Sequence, residues 1–147
     1  MKPKAIIFDI DGVLSEKYQN RQWREENKVH LDAPIFQIQE IFSNLLKSTS
    51  YKIFFLTGRT EACREKTIAW LNTHYLRDSN NANEYSLLMR HIDDWRKGFE
   101  VKRDMFEFQV KDKYGVIFAI DDDPEICKMH KEHSIFTLEV KRSLNDK

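Results

Sequence analysis

The chain has 147 residues, enough for one domain with a buried core, and its 24 basic and 24 acidic side chains cancel. Zero net charge excludes a global field that would recruit nucleic acid or anionic membrane, so attraction for a polyanion has to come from a local patch. No stretch is long and apolar enough to span a bilayer, and the N-terminus lacks the apolar core and cleavage pattern of a signal peptide, which points to the cytoplasm. The two cysteines, Cys63 and Cys127, are too few for a disulfide framework or a zinc site and read as buried, reduced thiols.

The first predicted element is the apolar run Ala5-Ile6-Ile7-Phe8, short, rich in branched and aromatic residues and followed by Asp9-Ile10-Asp11-Gly12. It reads as a central parallel strand that opens into a tight turn, with two acids at its carboxyl end, the edge where open α/β sheets bind ligands. Residues 13–31 are polar and charged, with Tyr18, Trp23 and Leu31 as isolated hydrophobes, and are expected to form a flap beside the acid pair. Asp32 is placed to cap a helix with Pro34 in its first turn, and Ile35, Ile38, Ile41, Phe42, Leu45 and Leu46 keep helical spacing behind it.

Tyr51 to Leu56 predicts a second buried strand ending in Thr57-Gly58-Arg59, and Thr60 can cap the helix that carries Ile68, Trp70 and Leu71. The Asn-rich stretch 78–83 is the most loop-like part of the chain, Tyr85 to Met89 a weaker third strand, and residues 90–97 a charged loop. A helix from about Gly98 sets Val101, Met105 and Phe108 on one face, with Lys102 near its start. Val116 to Ile120 then runs into Asp121-Asp122-Asp123, Pro124 opens a helix with Ile126, Cys127 and Met129, and Ile135 to Leu138 supplies a last strand before a frayed tail at 141–147. His130 and His133, three apart, lack further ligands and read as exposed. Alternation of strand and helix argues for one α/β domain over 1–147: a Rossmann-like three-layer fold with about five parallel strands, helices on both faces and no large cap.

If the first and fourth strands are neighbours, at least four carboxylates converge. Like charges about 4 Å apart repel by roughly 4 kcal/mol at a surface-like dielectric, so the cluster calls for a cation, and an all-oxygen acidic site suits Mg²⁺.

The Asp9/Asp11 pair, Thr57, a lysine at 97–102 and Asp121/Asp122 fall in order on one sheet edge, and together they resemble the four motifs of the haloacid dehalogenase (HAD) superfamily of phosphotransferases. The resemblance implies Asp9 as nucleophile, Asp11 as general acid and base, and Thr57 and Lys102 as holders of the phosphoryl group. It implies Mg²⁺ held by Asp9, Asp11 (through its backbone) and Asp121 or Asp122.

Asp94 to Lys102 followed by Phe118 to Asp122, together with Thr57-Gly58-Arg59 and with Arg21 in the flap, resembles the phosphatase domain of phage polynucleotide kinase-phosphatases, which removes 3′-phosphates from nucleic-acid ends. Where that family places an Asp four residues before the lysine, this chain has Gly98, so Asp93 with Lys97 is the alternative to Lys102. No Gly-x-x-x-x-Gly-Lys-Ser/Thr loop occurs, which implies a phosphatase without the kinase half; a separate kinase or ligase is a candidate partner.

Without a cap the site is expected to be open to a polymer end. Gly58, Arg59, Arg21 and Arg96, with Arg90, are candidates to contact the substrate's phosphates, and Trp23 and Trp95 either stack on a terminal base or pack at the rim. The competing readings are a phosphatase of nucleotides or other small phosphomonoesters, and a non-catalytic module that binds phosphate ends or a protein.

Overall fold

The structure, a computed structural model, describes residues 1–77 and 84–142; the Asn-rich stretch and the end of the tail lie outside the described residues. Strand β1 (Lys4–Phe8) occupies the centre of a five-stranded sheet, because every one of its residues after Lys4 is buried, with Ile6 and Phe8 facing one core and Ala5 and Ile7 the other. A two-residue strand, β2 (Ser15–Glu16), pairs antiparallel with β3 (Ala33–Pro34) and so closes the base of the 13–31 segment.

Helix α1 (Phe36–Ser48) and helix α2 (Arg64–Leu71) flank β4 (Lys52–Thr60) in sequence, and β5 (Tyr85–Arg90) follows. Helix α3 (Gly98–Gln109), β6 (Gly115–Asp121), α4 (Pro124–Glu132) and β7 (Thr137–Glu139) complete the order. The sheet runs β5-β4-β1-β6-β7, and each pair in it is parallel. The chain therefore winds outward from β1 through β4 to β5 and then returns to β1's other side with β6. That reversal puts the loops after β1, β4 and β6 around one crevice.

Each face carries its own apolar layer. Ile38, Phe42 and Leu46 of α1 and Trp70 and Leu71 of α2 pack with Phe8, Ile53 and Phe55, whereas Val101, Met105 and Phe106 of α3 pack with Ile7, Phe54 and Leu56. The three-layer α/β architecture expected from the pattern is the one observed.

Four local expectations differ. Asp32 caps no helix: α1 starts at Phe36, Pro34 sits in β3, and the Asp32 carboxylate is drawn to two buried guanidinium groups described below. Ile41 of α1 is half exposed, because the buried positions of that helix are Ile38, Phe42 and Leu46, four apart. Phe108 is exposed, because the inward stripe of α3 is set by Val101, Lys102, Met105 and Phe106. His130 is buried, since Ile126, Cys127, Met129 and His130 form the inward face of α4. Both cysteines are buried and free. Among the described residues no helix is long and apolar enough to cross a membrane.

Candidate active site

The end of β1 and the end of β6 are stitched together where the Asp9 N–H donates to the Ile120 carbonyl at 3.0 Å. This sets Asp9 beside Asp121 and Asp122, and ligand oxygens from the three carboxylates lie within 4.8 Å of one another. Lys102 reaches in from the first turns of α3, buried, and its Nζ donates to Asp9 Oδ1 at 2.7 Å and to Asp121 Oδ2 at 2.8 Å. A second anchor on Asp121 is the Asp123 N–H, which donates to its Oδ1 at 3.0 Å.

One ammonium does not neutralise three acids. Burial, then the charge of Asp121, raises the Asp9 carboxyl well above its ordinary range against the pull of Lys102, and burial with Asp121 pushes Asp122 up to about 6. Burial favours the neutral amine at Lys102, but Asp121 and Asp9 outweigh it and hold the ammonium above its usual range. Three oxygen donors in surplus of negative charge fit a hard divalent cation.

Gly12 permits the close approach. It has φ +86°, a left-handed conformation that follows the acid pair, and a Cβ there would run into the Asp122 carboxylate.

Asp11 lines the same cleft but is held by a different set of groups. Arg59 Nε and Nη2 donate to its two oxygens at 3.1 and 2.9 Å, and Arg21 Nη2 adds a third bond at 3.1 Å. Burial works to raise the Asp11 carboxyl, but Arg59, then Arg21, overcome it and bring it down to about 2. The same guanidinium groups share Asp32, whose Oδ2 accepts from Arg21 Nη2 at 2.6 Å and Arg59 Nη2 at 2.9 Å. All these groups except part of Asp11 are shut away from solvent.

Arg59 is aimed by an irregularity in β4. Leu56 pairs with Leu88 and Thr60 with Arg90, so β4 spends two more residues than β5 over that interval, and the irregularity falls on Thr57, Gly58 and Arg59.

Residues 3–143 match the family described as the polynucleotide kinase PNKP phosphatase domain, of the HAD class. The chain belongs to this family. It is therefore a HAD phosphatase of the PNKP type.

Known proteins agree with the assignment. A protein of Autographa californica nuclear polyhedrosis virus, described as a bifunctional polynucleotide kinase/RNA ligase, is 26% identical over 136 residues, covering 92% of this chain and 19% of the viral protein. A chain in the Pnkp1/Rnl/Hen1 RNA repair complex superposes with a TM-score of 0.81 at 30% identity, over 95% of this chain and 42% of that one. A second structure of the Pnkp1/Rnl/Hen1 complex gives 0.81 at 29% identity, covering 95% and 46%. The chain thus spans about a fifth of the viral relative and under half of the two structural ones.

Above the acids of this PNKP-type domain lies an open cleft of about 620 Å³. Its lining brings together Asp9, Asp11, Gly58, Arg59, Lys102, Asp121 and Asp122, with Arg96 and Lys97 at the side. Lys102 is the lysine in contact with Asp9; Lys97 is exposed on the rim.

Thr57 and Arg21 are outside the lining. Thr57 is fully buried and its Oγ1 accepts the Arg59 N–H at 3.1 Å, while Arg21 stands behind Asp11. Arg96 pairs with Asp94 at 2.9 Å and Asp104 at 2.7 Å. Arg90 is buried and donates to the carbonyls of Gly58, Asp94 and Arg96, so it braces the 91–97 loop. Sequence reasoning missed Asp32, and no spacing rule could have found it: its partners are 11 and 27 residues away, on other elements.

Proposed function

We propose that this domain is a Mg²⁺-dependent polynucleotide 3′-phosphatase that works through an aspartyl-phosphate on Asp9, in cytoplasmic repair of nucleic-acid ends beside a kinase or ligase activity. The observation that carries the reading is the separation of two carboxylates only two residues apart. Asp9 lies against Lys102 on the cleft floor, and Asp11 is held by Arg59 and Arg21.

In the first half, an Asp9 oxygen attacks phosphorus and the 3′-oxygen leaves with a proton from Asp11. In the second, Asp11 takes a proton from water as the water attacks phosphorus, which frees Asp9 and inorganic phosphate. Arg59 and Arg21 keep Asp11 ionised in the resting cleft. An incoming phosphate monoester adds negative charge beside that pair and raises the proton affinity of Asp11, which takes a proton from solvent on substrate binding and passes that proton to the 3′-oxygen. Lys102 and the Gly58 backbone hold the phosphoryl oxygens, Thr57 stands behind them and accepts the Arg59 N–H, and residues 13–31 flank the site as a flap.

Asp9, Asp121 and Asp122, with the Asp11 carbonyl, would hold Mg²⁺; the Asp11 side chain is committed to arginine. The cation supplies charge neutralisation on the phosphoryl group and its nucleophile. The relatives that join a phosphatase-like domain to kinase and ligase functions, and those in an RNA repair complex, support an end-processing role.

The test is phosphate release from a 3′-phosphorylated oligonucleotide, with Mg²⁺ and with chelator, beside an aryl phosphate. Metal-dependent release that favours the oligonucleotide is the expected result. Activity confined to the aryl phosphate would move the substrate to small molecules, and no release from either would leave a binding module.

A further inference from the structure

Two tryptophans and an arginine form a stacked wall at the mouth of the cleft. Trp23 of the 13–31 segment lines the cleft with Asp9, and Trp95 of the 91–97 loop meets it edge-on, with ring centroids 6.1 Å apart. The Arg24 guanidinium lies over both rings, 3.6 Å from the Trp95 centroid and 4.5 Å from that of Trp23. Its Nη1 and Nη2 donate to the carbonyls of Ile92 and Asp94 at 2.9 and 3.0 Å, and its Nε is buried against the rings without a hydrogen-bond partner. The Arg90 guanidinium also lies over Trp23, 4.9 Å from its ring centroid.

This arrangement holds aromatic surface in place without burying it. Trp95 is 71% exposed and Trp23 41%, although a packing role would hide them. One face of Trp95 is occupied by Arg24, and the immobilised ring leaves the rest of its surface to solvent.

We propose that Trp95 and Trp23 are a base-stacking platform for the last nucleotides of a single-stranded nucleic-acid 3′ end whose phosphate lies at Asp9. The inference rests on the polynucleotide 3′-phosphatase reading and names how that substrate is gripped. Three observations select this occupant. The wall reaches the cleft that holds the phosphoryl chemistry through Trp23, which lines it and meets Trp95 edge-on. Lys17 and Lys97 line the same cleft, and neither forms an ion pair among the described residues, so cations are left for the phosphodiesters next to the stacked base. A rigid indole presents a π-face that every base can meet, but only a base outside a duplex stack can reach it.

The experiment compares kcat/KM on a single-stranded 3′-phosphorylated oligonucleotide with kcat/KM on an aryl phosphate, for the wild type and for Trp95→Ala and Trp95→Phe. Trp95→Ala is expected to lower the ratio of the two about tenfold, mainly through KM on the oligonucleotide, and Trp95→Phe to restore most of it. Abasic sites at each of the last three positions should lower the wild-type ratio at one of them, and at that position Trp95→Ala should cost nothing more. A fall in both substrates alike would mean that Trp95 only latches the 13–31 segment to the 91–97 loop, and an unchanged ratio would remove the platform. Failure of the underlying reading shows separately, as a wild type that releases phosphate from the aryl ester but not from the oligonucleotide, and it overturns the platform with it.

Discussion

Asp32 and Arg59 meet at 2.9 Å in a side-chain environment closed to water, and through that contact a residue outside the cleft sets the direction of the group that holds Asp11. Two guanidinium groups and two carboxylates balance there. Asp32→Asn leaves a buried positive charge without its counterion, which is expected to cost about 3 kcal/mol in urea denaturation. Phosphatase turnover should fall roughly tenfold as Arg59 and Arg21 lose their anchor. Equal stability of variant and wild type would show that Asp32 contributes nothing to the square.

Asp9→Asn separates chemistry from folding. The folded-state carboxyl of Asp9 is raised above its ordinary 3.8, so its stabilising contribution is present below that value and lost as pH rises through the folded value. At pH 7.5 without metal Asp9 therefore contributes less to folding than it does in acid. The variant should melt at the same temperature as the wild type or higher, while turnover falls about 10⁴-fold or more. A variant that turns over normally would end Asp9's role as nucleophile.

The parallel sheet and the acid cluster were legible because they are written locally. An apolar run followed by Asp-x-Asp-Gly states a strand, a turn and two carboxylates in eight residues, and β6 repeats the form with Asp121 and Asp122. Lys102 was legible only through its motif; that it, rather than Lys97, meets Asp9 follows from the inward stripe of α3. Asp32 was not legible, because a carboxylate before Ala-Pro looks like a helix cap, and its actual partners come from the 13–31 segment and the β4 bulge. The burial of His130 had a signal in its spacing from Ile126 and Cys127, which the polarity of the side chain masked.

Gly12→Ala tests the close approach to Asp122. A non-glycine residue at φ +86° costs about 1–2 kcal/mol from backbone conformation, and the added methyl must push the Asp122 carboxylate away as well. Calorimetry should show lower stability together with a smaller Mg²⁺-induced rise in melting temperature than the wild type shows. Loss of stability with the Mg²⁺ response intact would place Asp122 outside the cation site.

His130 makes the fold sensitive to mild acid. Burial, then the nearby Lys102 ammonium, lowers its pKa from 6.5 to about 4, while Asp121 pulls weakly the other way, and its Nδ1 is buried without a hydrogen-bond partner. Between those two values the unfolded chain binds a proton that the folded one refuses, so stability rises with pH across that window and falls as pH drops through it. Relative to pH 7.5, the loss from this one group should reach about 2 kcal/mol at pH 5. His130→Gln cannot take up that proton, whatever its own cost at neutral pH. Denaturant titrations at pH 7.5 and pH 5 should therefore show a smaller difference in the variant than in the wild type by about that amount. Equal differences would mean that His130 is protonated inside the fold, with a counterion that offsets its charge.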